Sequence, residues 1–259
     1  MTTTVRLLDL DFADLSAAQA ASTIAGMPAG APFGYVVTPH ADHLVRLSRD
    51  PQLGRIYRNA WLRLLDSRVV AGMASACGLP VPQVAPGSDL TELLLRRYVF
   101  PAERITIIGM RPAWLPNLVS RCGLAQPAHY DPPMGFADDP AAFAKAVSFV
   151  LAHPARFIFM AVGSPRQERL AAAVAASGQA TGTGLCIGAS LGFLAGAERR
   201  APPWMQRGGL EWAFRLGTDP RRLARRYLLE SPRVVSMLLR DRRRTESPFY
   251  RGPILPDAG

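Results

Sequence analysis

Two polar residues follow apolar runs at positions from which their side chains can do chemistry. Thr38 ends the run GYVVT, and Asp66 ends the run WLRLLD 28 positions later. In α/β sheets, ligands bind outside the carboxyl ends of the strands, so a hydroxyl and a carboxylate placed there face the usual crevice. Both residue types also cap helices, and that role stays open for each of them.

A second polar pair, Gln167 and Glu168, follows the apolar run FIFMAV and a Gly-Ser-Pro turn. The pair places an amide and a carboxylate at the start of a helix, where they suit hydrogen bonds to sugar or ribose hydroxyls. Stabilisation of the loop is the alternative role. Gly163 in the turn allows a donor to approach the backbone closely. Gly109 and Gly188 also end apolar runs, and backbone N–H groups at such strand ends favour phosphate.

Histidine and cysteine spacing indicates neither a metal site nor a disulfide framework. Cys77, Cys122 and Cys186 are odd in number and show no CxxC spacing. His40 and His43 lie three residues apart, which fits one helical face, but we find no carboxylate or cysteine set with them. We therefore predict a structural or substrate-contacting role for the histidines, with no metal and no cofactor.

These residues are carried by an alternation of short apolar runs and longer helical patterns. Several runs, such as ITIIG and GLCIG, are continuously apolar, as in strands that are covered on both faces. The alternation predicts an α/β fold with a mainly parallel, Rossmann-like sheet flanked by helices. The predicted strands are Val5–Leu10, Gly34–Thr38, Trp61–Leu65, Arg104–Gly109, Arg156–Val162 and Thr183–Gly188. The predicted helices are Ser16–Gly26, Ala41–Arg49, Pro51–Asn59, Asp89–Tyr98, Pro140–Ala152 and Gln167–Ala176.

Composition and motifs limit the class of protein. Apolar residues make up 49% of the chain and charged residues 19%, as in globular proteins. No apolar run reaches the roughly 18 to 20 residues of a transmembrane helix. Asp9 and Asp11 stand where a signal peptide would need an uninterrupted apolar stretch. We therefore expect a cytoplasmic protein. GxGxxG after a strand and GxxxxGK[ST] are both missing, so neither a dinucleotide fingerprint nor a P-loop is predicted.

The net charge of +10 is concentrated near the C-terminus. Between Arg199 and Arg244 there are 13 arginines against four acidic residues, and prolines break this stretch into short helical pieces. The pattern predicts an α/β domain over residues 1–200 and a basic helical appendage over 201–259, whose amphipathic helices lie on an anionic membrane surface. Helices packed on the main domain with their charges in water have the same pattern.

Several longer runs share the pattern of a known family. FIFMAVGSPRQE, over Phe157–Glu168, is similar to a strand followed by V-G-x-P-[KR]-Q-E. LAGAERRAPPWMQRGGLEWAFRL, over Leu194–Leu216, looks like A-G-x-x-x-R-A-P-x-W-x-x-x-G-L-E-W-x-x-R-L, and DPRRLARRYL continues it. GSDL at 87–90 and the Thr38–Asp66 pair supply the N-terminal half. Together these runs resemble the WecG/TagA/CpsF family of bacterial glycosyltransferases over most of the chain.

The resemblance implies inverting, metal-independent transfer of a hexose from a UDP-sugar to a polyprenyl-diphosphate-linked acceptor, in the synthesis of surface or exported polysaccharide. It also implies peripheral association with the inner face of the cell membrane, and self-association into a homo-oligomer is consistent with it. Asp66 matches the aspartate proposed as the base, and Thr38 matches a threonine of the same cleft. The donor-binding candidates are Gly109, Gly163, Gln167, Glu168 and His40. The candidates for diphosphate or membrane contacts are Arg207, Arg215, Arg222 and Arg225.

Four positions near the expected cleft depart from the family pattern. His40 stands for the asparagine of T-x-N, Ser67 for the glycine after the aspartate, Val84 for an arginine, and Gly192 for an aspartate. Because of these changes, the sequence does not assign the donor sugar, and in particular it does not assign N-acetylmannosamine. The alternative function is that of a catalytically weak or inactive family member, which acts as a membrane-associated scaffold in polysaccharide assembly. A nucleic-acid binder is not predicted, because no aromatic stacking position or known motif accompanies the basic charge.

Overall fold

A computed structural model of the chain describes residues 2–202, 204–205, 208, 210–218 and 231–245. Within these residues, six strands form one sheet: β3 (Gly34–Val37), β4 (Leu62–Arg63), β5 (Thr106–Gly109), β6 (Ala128–Tyr130), β7 (Phe157–Ala161) and β8 (Thr183–Cys186). Their order is β4–β3–β8–β7–β5–β6, and every neighbouring pair is parallel. The predicted α/β fold with a parallel sheet is confirmed.

Helices cover both faces of this sheet. Those before β6 are α1 (Ala17–Ala25), α2 (Ala41–Leu47), α3 (Pro51–Arg58), α4 (Arg68–Ala76), α5 (Gly87–Leu93) and α6 (Leu115–Cys122). Those after it are α7 (Pro140–Ala152), α8 (Arg166–Ala176), α9 (Ser190–Leu194), α10 (Glu211–Thr218) and α11 (Ser231–Thr245). A π-helical turn, Leu94–Tyr98, continues α5, and a 3-10 turn, Pro112–Trp114, precedes α6.

The apolar strands explain why the sheet is buried on both faces. Along β5, Ile108 packs in the core that also contains Val70, Leu170 and Val234, whereas the adjacent Ile107 packs in a second core with Leu90. Successive side chains of a strand point to opposite faces, so a continuous apolar run serves two cores at once. This is the arrangement that the continuous runs in the sequence predict.

The N-terminal strand prediction, Val5–Leu10, is wrong in detail. The segment forms two short strands, β1 (Thr4–Leu7) and β2 (Leu10–Ala13), which pair antiparallel in a separate hairpin. Leu8 and Asp9 form its tip with φ of 50° and 61°. Positive φ at both central residues is typical of a two-residue hairpin turn. The turn therefore divides into two strands a segment that apolar content alone predicts to be one strand.

Four elements of residues 1–200 were absent from the sequence prediction. The strand β6 (Ala128–Tyr130) is a short edge strand without an apolar run, and α4, α6 and α9 lie in segments that the sequence analysis left unassigned. Two predicted helices, α3 and α7, begin at the predicted residue. Asp50 accepts a hydrogen bond from the N–H of Leu53 at the start of α3, and Asp139 accepts from two N–H groups at the start of α7. Both caps precede a proline, which marks the first helical position.

The helix α11 packs against the α/β domain. Val234 and Leu238 are buried in the core shared with α2 and α4, and the carboxylate of Asp241 accepts a hydrogen bond from the N–H of Leu8 at 2.8 Å. The adjacent side of the helix exposes Val235 and Leu239, at 37% and 46%. One apolar side is therefore used for packing, and a second faces outward. Within the described residues, no helix is both long and apolar enough to cross a membrane.

Candidate functional site

The predicted site residues meet at one edge of the sheet. Thr38 follows β3, Asp66 follows β4, and Gly109 ends β5. Gly163 and Gly188 follow β7 and β8. Because all these strands are parallel, their carboxyl ends share an edge, and this is where α/β proteins bind ligands.

Asp66 and Thr38 come together at the start of α5. The N–H of Gly87, the first residue of that helix, donates to Oδ2 of Asp66 at 3.1 Å. A Cβ placed on Gly87 would lie 2.9 Å from Oγ1 of Thr38 and 3.4 Å from Oδ2 of Asp66. Only glycine lets the helix backbone approach both side chains this closely. Gly87 is a site residue that the sequence analysis noted within GSDL but did not assign.

The alternative role of Asp66, capping the next helix, belongs to its neighbour. The hydroxyl of Ser67 accepts from the N–H of Val70 at 3.1 Å and caps α4. The backbone N–H of Asp66 donates to the carbonyl of Pro39, which extends the pairing beyond β3. The partly exposed carboxylate of Asp66 is therefore directed to the start of α5, where the helix dipole stabilises negative charge.

Thr38 is also not the cap of the helix that follows it. The N-cap of α2 is His40, which makes no side-chain capping bond. Thr38 is buried, and its hydroxyl donates to the carbonyl of Cys186 on the neighbouring strand β8 at 3.4 Å. That bond joins the ends of the adjacent strands β3 and β8.

His40 and His43 have a carboxylate neighbour, contrary to the sequence analysis. Nδ1 of His40 lies 2.5 Å from Oδ1 of Asp42, and the imidazole rings of His40 and His43 are tilted by 34° with centroids 3.8 Å apart. His40, Asp42 and His43 each offer a ligand atom, and these atoms lie within 4.8 Å of one another. Arg46 pairs with the same carboxylate at 3.1 Å, and its positive charge disfavours a cation there.

Gln167 and Glu168 form a buried hydrogen-bonded group. Nε2 of Gln167 and the hydroxyl of Tyr57 both donate to Oε1 of Glu168 at 3.0 Å. Oε1 of Gln167 accepts from the N–H of Gly188, also at 3.0 Å. Gln167 is 2% exposed and Glu168 is 1% exposed. The contacts of both side chains are therefore with the protein itself.

Burial sets the protonation behaviour of this group. Burial raises the pKa of Glu168 above its ordinary value, although the hydrogen bonds from Gln167 and Tyr57 oppose the rise. The Ser164 hydroxyl lies close enough to lower that pKa as well, but it does not reach hydrogen-bond geometry with Oε2. Burial also raises the pKa of Tyr57 well above its usual range, so its phenol remains a donor. Tyr57 was not anticipated, because on the sequence it reads as one more apolar position of α3.

The backbone conformation at Gly109 and Gly163, the two glycines predicted to lie close to a donor, requires glycine. Gly109 has a φ of 87°, and a Cβ there would lie 2.7 Å from Cγ1 of Val162 on the neighbouring segment. Gly163 has a φ of 76° in the turn that leads into α8. Nε2 of His129 lies 3.0 Å from the carbonyl of Gly109 and steadies the first of these turns. Both turns therefore present backbone groups at the ligand-binding edge.

Most of the predicted cationic contacts lie outside the described residues. Arg215 lies on α10, but its side chain is outside the description, and Arg207, Arg222 and Arg225 lie outside the described residues. Besides His40 and Ser67, the other two positions that depart from the family pattern also have defined neighbours. Val84 pairs with Leu65 beside Asp66, and a Cβ on Gly192 would lie 3.2 Å from the ring of Trp114.

Comparison with known proteins places the chain. The sequence profile of the glycosyl transferase WecG/TagA/CpsF family matches residues 5–248. The chain is also similar to an N-acetylglucosaminyldiphosphoundecaprenol N-acetyl-beta-D-mannosaminyltransferase of Bacillus spizizenii, with 26% identity over 226 residues that cover 85% of this chain and 84% of the relative. The residues that the family profile matches include Thr38 and Asp66 at the strand ends and Gln167 and Glu168 at the start of α8. The chain belongs to the WecG/TagA/CpsF family of glycosyl transferases.

Proposed function

We propose that the chain transfers a hexose, with inversion and without a bound metal, from a UDP-sugar to a polyprenyl-diphosphate-linked saccharide. The reaction would serve the synthesis of a surface or exported polysaccharide. The observation that carries this proposal is that Asp66 and Thr38 both lie against Gly87, whose N–H donates to Oδ2 of Asp66. A partly exposed carboxylate is thereby held at the ligand-binding edge of a family glycosyl transferase.

Asp66 acts as the general base in this proposal. Its carboxylate takes the proton of the acceptor hydroxyl while that oxygen attacks the anomeric carbon from the face opposite UDP. The new bond joins the acceptor oxygen to the anomeric carbon, and the bond from that carbon to the diphosphate oxygen breaks. UDP leaves with the bonding electron pair, and one attack of this kind inverts the anomeric configuration.

The charge that develops on the leaving diphosphate needs donors and cations. The turns at Gly109 and Gly163 offer backbone N–H groups at the same edge as Asp66. We assign the cationic part to the arginines of the C-terminal region, with Arg207, Arg215, Arg222 and Arg225 as the candidates, because a guanidinium pairs well with diphosphate oxygens. His40 completes the donor side of the proposal. Gln167 and Glu168, which the sequence analysis took as donor-binding candidates, are buried, so we propose that they act on the donor site through the protein and not by contact with the donor.

The acceptor class rests on the relative from Bacillus spizizenii. The name of that enzyme specifies a sugar diphosphate carried on undecaprenol and an N-acetylmannosaminyl donor. We propose the same acceptor class for this chain. The donor sugar is left to experiment, because His40 and Val84 lie beside the Thr38–Asp66 pair and depart from the family pattern.

We further propose that the protein works as a peripheral protein on the inner, anionic face of the cell membrane. Val235 and Leu239 point outward from α11, and exposed Arg240 and Arg243 accompany them. An apolar strip with a basic rim is suited to a membrane interface. The division at residue 200 into an α/β domain and a basic appendage, and self-association, stay predictions.

The test is UDP release from a panel of UDP-sugars, with a lipid-diphosphate-linked sugar as acceptor. We expect acceptor-dependent release from one donor, faster with anionic vesicles than with neutral ones and slowed by salt. Release without any dependence on vesicle charge would contradict the membrane proposal alone. No release from any donor, with folded protein and several acceptors, would contradict the transferase proposal and favour the scaffold function.

A further inference from the structure

A line of hydrogen-bonded side chains runs behind the ligand-binding edge. It begins at Tyr57 on α3, continues through Glu168 and Gln167 at the start of α8, and ends at the N–H of Gly188 after β8. The two bonds that Oε1 of Glu168 accepts and the bond that Gly188 donates are each 3.0 Å long. Three separate elements are thereby tied together by side chains that are almost wholly buried.

Glu168 determines which way the amide of Gln167 faces. Oε1 of Glu168 accepts from both Tyr57 and Gln167, so the NH₂ group of the amide must point to Glu168. The carbonyl oxygen of the amide then points to Gly188 and accepts its N–H. With the amide reversed, two donors would face each other at Gly188, and the buried carboxyl would lose one of its two donors.

The Gly188 turn lies beside the proposed catalytic pair. Gly188 has a φ of 56° and comes two residues after Cys186, whose carbonyl accepts from the Thr38 hydroxyl. At the other end of the line, the Tyr57 hydroxyl lies 3.3 Å from Nδ1 of His43, and the centroid of the His43 ring lies 3.8 Å from that of His40. Both ends of the line therefore reach residues at the edge where the donor would bind.

We propose that Glu168 and Tyr57 are positioning residues, which orient the amide of Gln167 and thereby hold the Gly188 turn in the geometry that the sugar-nucleotide donor requires. Neither residue contacts the substrate in this proposal. The part that concerns turnover rests on the proposed transferase function, whereas the effect on the Gly188 turn does not.

The experiment compares Glu168→Ala, Glu168→Gln and Tyr57→Phe with a matched control, Tyr35→Phe. Tyr35 is also a buried tyrosine, but its hydroxyl donates to the carbonyl of Ile56, outside the line. Two readouts are taken from each protein: the hydrogen-exchange rate of the Gly188 amide by NMR, and the donor KM and kcat. Thermal unfolding checks that each variant is folded.

We expect Glu168→Ala to speed exchange at Gly188 and to raise the donor KM, each about ten- to a hundredfold, because a buried hydrogen-bonded group is removed. Tyr57→Phe acts in the same direction by roughly threefold to tenfold. Glu168→Gln keeps an acceptor oxygen for both donors, so it stays within about threefold of the wild type. Tyr35→Phe leaves both readouts unchanged.

Two outcomes would overturn the proposal. One is a folded Glu168→Ala protein with wild-type exchange at Gly188 and wild-type kinetics; if that variant does not fold, Tyr57→Phe decides in the same way. The other is an equal change in Tyr35→Phe, which would mean that any loss of core stability produces the effect. A wild-type protein without turnover would refute the proposed function, and the exchange rates would still decide the positioning role.

Discussion

Asp66 and Glu168 are two carboxyl groups at the same edge of one sheet, and their surroundings differ in almost every respect. Asp66 is partly exposed and is held by a backbone N–H at the start of α5. Glu168 is buried and is held by the side chains of Tyr57 and Gln167. Asp66 lies at the edge where we propose that the donor binds, and Glu168 lies in the interior.

This difference decides which of the two can exchange a proton with a substrate. A general base must lie within hydrogen-bond reach of the proton that it removes, and of these two residues only Asp66 is partly exposed. Glu168 has its pKa raised by burial and lies behind Gln167. In our proposals, the same chemical group therefore serves catalysis at one position and the orientation of an amide at the other.

The largest expected effect comes from removing the base. Asp66→Asn keeps an oxygen for the N–H of Gly87 but loses the proton acceptor, so kcat should fall about a thousandfold. Donor affinity and the free energy of unfolding should change little. The measurement is UDP release together with donor binding by calorimetry.

A matched control for this prediction is Asp14→Asn. The carboxylate of Asp14 also accepts a backbone N–H, that of Gln83 at 2.9 Å, but it follows the separate hairpin. We expect near wild-type kcat for the control. An unchanged kcat in Asp66→Asn would remove the base assignment, and an equal loss in both variants would make the effect structural.

A smaller effect is expected when a methyl group is added at Gly87, between the side chains of Thr38 and Asp66. Gly87→Ala would bring a methyl group to 2.9 Å from the Thr38 hydroxyl, so that side chain or the helix start must shift. Because small displacements of reacting groups slow catalysis, we expect kcat/KM to fall about tenfold. In the control Gly72→Ala, on α4, the methyl group meets no heavy atom within 4 Å, and activity should be kept. Wild-type kcat/KM in Gly87→Ala would show that the close approach has no catalytic role.

The smallest effect concerns stability and tests the buried side of the comparison. Since burial raises the pKa of Glu168, the folded protein holds a proton that the unfolded chain releases once pH exceeds the ordinary value of 4.5. The free energy of unfolding of the wild type, relative to Glu168→Gln, should therefore be level below that pH and fall as pH rises through the raised pKa. Urea unfolding at a series of pH values measures it. A difference that grows with pH would contradict the buried, raised-pKa description of Glu168.

Much of the fold and part of the site could be predicted from the sequence. The continuous apolar runs predicted parallel strands buried on both faces, and the polar residues that end those runs lie at one edge of the sheet. Capping residues before prolines marked the starts of α3 and α7. These features depend on neighbours along the chain, so local pattern and helix-capping preferences suffice to predict them.

Other features were decided only by the tertiary structure. The approach of Gly87 to Thr38 and Asp66 joins positions far apart in sequence, and the burial of Glu168 depends on α3 packing over the start of α8. The sequence placed both acids after a strand and treated both as candidates for the site. Which one meets solvent and which one meets a tyrosine follows from the packing of distant elements, and burial is a property of that packing and not of any local run of residues.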